Sequence, residues 1–272
     1  MTWFHALVMG ATSAAAMRAA IERGDLDEAA RQGALAGPAV VERALEAPDR
    51  LTQLAAIAAA PIVEDRPELL VALARVAAGA DRRTALPAAS AARTIARELA
   101  RHERPDDLAP DDLATWQATW AELAMRGDRW IELRVLALDT AAVLDPAGVG
   151  VDLTAALHDP DPAFRRAATA IVPLSAPVAS YAPLAGAITG DRDPDVVLGA
   201  AQALCLSIDA AASPRPILDA LGAAGLARLR ALVISDRPAA TAALRDAARC
   251  LAADGSAESA AALRALRTLP RR

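Results

Sequence analysis

Two segments of the chain align without a gap: Asp159-Pro160-Asp161-Pro162-Ala163-Phe164-Arg165-Arg166-Ala167-Ala168 and Asp191-Arg192-Asp193-Pro194-Asp195-Val196-Val197-Leu198-Gly199-Ala200. Counted from Asp161 to Asp193, they stand 32 residues apart. A period this short constrains the fold more than any other feature, because such a unit holds about two helices and neither can bury its apolar face alone. The same local pattern, an Asp followed by Pro or Arg and then an Ala-rich amphipathic stretch, recurs at Asp49-Arg50, Asp81-Arg82, Asp128-Arg129 and Asp236-Arg237. The spacing is again 32 residues from Asp49 to Asp81 and 33 from Asp128 to Asp161, with two longer gaps that read as insertions.

The pattern is one of helix initiation. An Asp ahead of the first turn accepts from its orphan N–H groups, and Pro suits the first helical position because its missing N–H had no intrahelical partner. Each of these Asp residues is therefore expected to open a helix. Small residues that follow, among them Ala55, Ala88, Ala167 and Gly199, fall where a second helix has to approach closely. Partner helices are expected over Glu68 to Ala78, Asp112 to Met125, Val151 to Leu157, Tyr181 to Ile188 and Ile217 to Val233, each with apolar residues three and four apart. Gly24-Asp25-Leu26-Asp27-Glu28 reads as a helix break and restart, with Asp25 and Glu28 at capping-box spacing. A last helix is expected over Ser256 to Leu269, ahead of a frayed tail, Pro270-Arg271-Arg272.

Composition agrees with helix throughout. Apolar residues make up 54% of the chain and aromatics only 3%, so the apolar share rests on Ala and Leu rather than on strand formers. Ala-rich helices approach one another closely, which suits a pile of short hairpins with a thin core. All 29 basic residues are Arg, with no Lys and no Asn, a bias that points to a G+C-rich and bacterial source. The expected fold is all-α: a right-handed α-solenoid of stacked antiparallel helical hairpins, running as a single array over residues 17–269 with a polar insertion at about 101–112.

The openings Asp161-Pro162-Ala163-Phe164-Arg165 and Asp193-Pro194-Asp195-Val196-Val197 resemble the Asp-Pro-x-Val-Arg start of the second helix in HEAT repeats, including the HEAT-like repeats of phycobilin lyases. The match is good in these two units, while the other four keep the Asp and the Ala-rich helix. The resemblance implies an armadillo-type superhelix, and it implies that Asp161 and Arg165 take part in an Asp/Arg ladder between repeats, interrupted where Val197 replaces the Arg.

The same residues narrow the chemistry. A net charge of −5 and a pI near 5.3 weigh against a nucleic-acid binder, which needs a basic face to release counterions. His5, His102 and His158 are far apart and none has a second ligand at metal spacing; His102-Glu103 is a single copy of a pair that iron-binding HEAT-like hydroxylases carry repeatedly. Asp191, Asp193 and Asp195 have the look of a calcium loop, yet Val196 stands where Gly is required and Gln202 where a bidentate Glu is needed. They are assigned to capping and solvation, and the doublets Asp106-Asp107 and Asp111-Asp112 to a loop and a helix start. Phosphate-cradling Gly-rich loops and nucleophile elbows are absent from the sequence. No catalytic, cofactor or metal residues are therefore assigned, and no activity is expected.

Cys205 and Cys250 are too few for a disulfide scaffold; both lie on apolar helix faces and read as small core residues, with one disulfide as the alternative. Trp116 and Trp120 share a helix face with Trp130 close behind, either filling the core or presenting an aromatic anchor. Arg165 and Arg166, Arg228 and Arg230, Arg245 and Arg249, and Arg264 and Arg267 read as solvated faces. Residues 1–16 resemble a signal peptide that lacks its basic n-region, or a mis-assigned start, so export and a cytoplasmic location stay equally open. The leading functional expectation is a non-enzymatic protein-interaction module or scaffold. An accessory lyase or chaperone-like subunit is the alternative that the HEAT-like resemblance implies, and a nucleic-acid-binding solenoid is the weaker one.

Overall fold

The computed structural model describes residues 3–63, 67–101, 110–144, 152–172, 176–234 and 241–268, and among these every regular element is helical. The chain forms two compact units, Met1–Asp145 and Pro146–Arg272. The N-terminal unit contains α1 (Trp3–Glu22), α2 (Leu26–Ala36), α3 (Pro38–Leu45), α4 (Arg50–Ala59), α5 (Leu69–Ala77), α6 (Arg82–Arg101), α7 (Pro110–Met125) and α8 (Ile131–Leu144). The C-terminal unit contains α9 (Leu153–Leu157), α10 (Pro162–Ala170), a 3-10 turn (Val178–Ser180), α11 (Tyr181–Gly190), α12 (Pro194–Leu206), α13 (Arg215–Ile234), α14 (Thr241–Asp254) and α15 (Ala257–Thr268).

Within each unit the packing is between neighbours. Each even-numbered helix packs on the odd-numbered one before it, and the even helices also pack in rows, α2 on α4 on α6 on α8 and α10 on α12 on α14. The odd helices make a second row, closest at α11, α13 and α15. This is the all-α stack of helical hairpins that the repeat spacing predicts. The expected partner helices appear as α5, α7, α9, α11 and α13, each end within two residues of its expected place. An additional short helix, α3, had no counterpart in the sequence reading; it starts at Pro38, directly after Gly37 breaks α2 at a φ of +92°.

The Asp residues cap as expected in most repeats. Asp25, Asp49, Asp81, Asp152, Asp161 and Asp193 each accept from backbone N–H groups of the first turn of the helix that follows. Two details differ. Glu28 does not close the capping box, because the Asp25 N–H is already taken by the Ala20 carbonyl at 3.0 Å and the Glu28 carboxylate turns to Arg31 and Gln32. Asp128 sits in the turn ahead of α8 and pairs with Arg126 at 3.2 and 3.0 Å. Asp236-Arg237, most of the 101–112 insertion and the 270–272 tail lie outside the described residues.

Helix contact is closest where small residues face one another. A Cβ at Gly199 on α12 would lie 2.2 Å from Thr169 Oγ1 on α10, and that hydroxyl is held by the Arg166 carbonyl at 2.8 Å. On α10 the buried positions are Phe164, Ala168 and Thr169, one step round from Ala167, which is only half-buried. Gly199→Ala is expected to cost about 1–3 kcal/mol through overpacking, with part of the loss recovered by Thr169→Ala; urea midpoints of the two variants and the double variant check this. Gly222 serves differently. Its φ of +56° and ψ of −172° break α13 into two helical segments, a backbone conformation that a side chain disfavours.

Candidate functional site

The carboxylates that stand out in the sequence are used within the repeat turns. Arg165, the fourth residue of α10, donates from Nε and Nη2 to the two oxygens of Asp191 at 2.8 and 3.0 Å, a bidentate bridge to the turn before α12. Its Nη1 donates to the carbonyls of Asp159 and Pro160 at 2.9 and 3.2 Å. The Asp191 side chain is 7% exposed and that of Arg165 17%. The HEAT-like resemblance implies an Asp/Arg contact between repeats at Asp161 and Arg165; a single such bridge is present, and its acid is Asp191 and not Asp161, whose oxygen is occupied in capping α10. Arg165 is also no solvated-face residue.

The electrostatics follow from these contacts. Hydrogen bonds from the Arg165 guanidinium, helped by the Asp193 backbone N–H, hold the Asp191 carboxyl below its usual range, and the same pair raises Arg165. Asp193 caps α12, and Asp195 is exposed near Arg166 at 3.5 Å. All three acids of the would-be calcium loop thus have structural partners. Among the described residues no group of three or more His, Cys, Asp or Glu side chains is placed to hold a metal ion.

The other candidates sort in the same way. His158 is an exposed helix-end residue whose Nδ1 donates to the Thr154 carbonyl at 2.7 Å. His102, Glu103, Asp106 and Asp107 lie outside the described residues, as does the side chain of His5. Asp111 and Asp112 are exposed in the first turn of α7. Trp116 and Trp120 are buried and Trp130 half-buried, so the first two fill the core and offer no exposed anchor. Cys205 and Cys250 are both wholly buried and joined in a disulfide between α12 and α14, which makes the alternative reading the correct one.

What remains at the surface is uneven. Five large apolar side chains are exposed among the described residues: Leu35, Leu51, Ile62, Val178 and Ile234. Three of them sit on two adjacent helices, Leu35 near the end of α2, Leu51 in the first turn of α4 and Ile62 just past its end. Leu51 marks the exposed face of α4, and Ile62 is exposed in the turn that follows Ala59, the last residue of that helix. A Cβ added at Gly33 would lie 3.2 Å from Ala59 Cβ, which places the C-terminal ends of α2 and α4 side by side and brings Leu35 and Ile62 to the same end. Ala58 is exposed along the same face of α4, and Asp27 and Arg31 are exposed on α2. The Arg31 guanidinium is held by Glu28 at 2.8 Å. The strip escaped the sequence reading because Leu and Ile at helical spacing look like core residues until the neighbouring helices are in place.

No family model and no curated protein matches the chain. Among solved structures, the crystal structure of Kap121p bound to Pho4p is similar at a TM-score of 0.48 and 18% sequence identity, over 76% of this chain and 22% of that one. The chain spans about a fifth of the length of that neighbour. The stacked-hairpin fold rests on the packing of its own helices, and no family membership follows from this comparison.

Proposed function

We propose that the chain is a non-enzymatic protein-binding module whose contact surface is the outer face of α2 and α4 in the N-terminal unit. The observation that carries the reading is the strip of Leu35, Leu51 and Ile62. Apolar side chains of this size exposed on two neighbouring helices and the turn after them, with charged residues on the same helices, suit an interface core with a polar rim. The absence of any expected catalytic constellation in the sequence is consistent with it, and stacked hairpins of limited depth offer surface more readily than enclosed sites. A nucleic-acid partner fits less well, since the net charge is −5 and the strip is apolar.

The double variant Leu35→Asp, Ile62→Asp places charge in the centre of this surface. It is expected to weaken capture of the partner at least ~100-fold while changing unfolding free energy by less than about 0.5 kcal/mol, since both positions are exposed. Affinity isolation from the native cells with wild type and variant, alongside urea unfolding of both, checks the two halves. Equal capture by the two proteins would remove the surface from the proposal.

A further inference from the structure

The chain has only two cysteines, and they meet. Cys205 lies in the last turn of α12 and Cys250 in α14, with a sequence separation of 45 residues and Cα atoms 5.3 Å apart. These two helices are adjacent members of the even row. The buried residues near the two cysteines along α12 and α14 are Ala200, Ala201, Ala203, Leu204, Ala247 and Leu251. Ala would fill either cysteine position in such a surrounding, and a chain drawing its core from Ala and Leu has no packing need for two thiols that face each other. Small side chains on both helices are what allow the backbones to come within disulfide span.

We propose that the Cys205–Cys250 bond is a folding staple of the C-terminal unit, and that the protein matures in an oxidising compartment. A closed loop of this length removes more freedom from the unfolded chain than several ordinary contacts can offset. One of its longest helices is also interrupted: α13, which packs between α11 and α15, is broken at Gly222. Both sulfurs have no exposed surface, so small thiols reach the bond only when α12 and α14 part. The bond is therefore formed during folding and kept, the behaviour of a structural disulfide and not of a surface redox sensor. Persistent structural disulfides of this kind belong to oxidising environments, whereas cytosolic thiols are held reduced.

Formation is a two-electron oxidation: two thiols lose two protons and two electrons and one S–S bond forms, the electrons passing to a disulfide-exchange oxidant of the compartment. The test uses the full-length protein from its own cells, acid-quenched and treated with N-ethylmaleimide in guanidinium without reductant. Intact mass is expected to show no adduct, and two adducts when reduction precedes alkylation; two adducts without reduction would overturn the compartment assignment. The Cys205→Ala, Cys250→Ala variant is expected to melt roughly 10–20 °C below the oxidised protein. A variant that melts with the wild type would overturn the staple.

Discussion

Trp120→Ala is expected to destabilise the N-terminal unit by about 3–5 kcal/mol, enough to remove much of the stability of an ordinary domain. Trp120 is among the largest side chains with no exposed surface, and it sits on α7 beside the buried Trp116, Leu123 and Ala124. An alanine there leaves a cavity of most of an indole's volume, which rigidly packed neighbours fill only in part. Trp120→Phe separates volume from polarity. Among the described residues the buried indole Nε1 has no hydrogen-bond partner, so the native tryptophan carries a desolvation cost that phenylalanine does not. The net loss for Trp120→Phe is therefore expected to stay near about 1 kcal/mol. Equilibrium urea unfolding gives both values, and a phenylalanine variant as unstable as the alanine one would mean that the indole N–H has an acceptor.

Arg165→Ala is expected to cost about 2–4 kcal/mol in the C-terminal unit. The substitution does more than delete a salt bridge: it leaves the nearly buried Asp191 carboxylate without its bidentate donor and the Asp159 and Pro160 carbonyls without theirs. Arg165→Lys should recover only part of this, because an ammonium cannot reproduce the forked geometry. The double variant Arg165→Ala, Asp191→Ala should lose less than the two single losses added together, since the second change removes the stranded charge. The sign with pH follows from Asp191, whose carboxyl is held low in the folded protein by Arg165 and by the Asp193 N–H. Its contribution is fully present above the unfolded value of about 4 and is lost as pH falls through the lower folded value. The stability gap between wild type and Arg165→Ala should therefore narrow in acid, where the carboxyl becomes neutral in both. Unfolding midpoints measured from neutral pH down to about pH 3 show this, and a gap that widens on acidification would contradict it.

Much of the fold was legible because it is written in local chemistry. Asp before Pro or Arg marks most of the helix starts, and the caps at Asp49, Asp81, Asp161 and Asp193 follow from hydrogen bonding within one turn. What the sequence concealed depends on neighbours thirty or more residues away. Asp191 as the partner of Arg165 could have been found, since Asp159 and Asp191 occupy equivalent places in the two aligned segments. The Asp-Pro-x-Val-Arg resemblance drew attention to Asp161 instead. The pairing of Cys205 with Cys250 needs the distance between α12 and α14, which no periodicity supplies. The strip of Leu35, Leu51 and Ile62 was the least legible, because an apolar residue at helical spacing reads as core until its row ends at solvent.

The central claim is that recognition of a protein partner takes place on the outer face of α2 and α4. Its most direct test is site-specific photocrosslinking in the native cells, with p-benzoylphenylalanine at position 35 or 62 and, as a control, at position 178, which is occupied by the equally exposed Val178 of the other unit. The account predicts a discrete protein adduct from positions 35 and 62 and none from 178. Adducts from 178 alone, or none from 35 and 62, would contradict it.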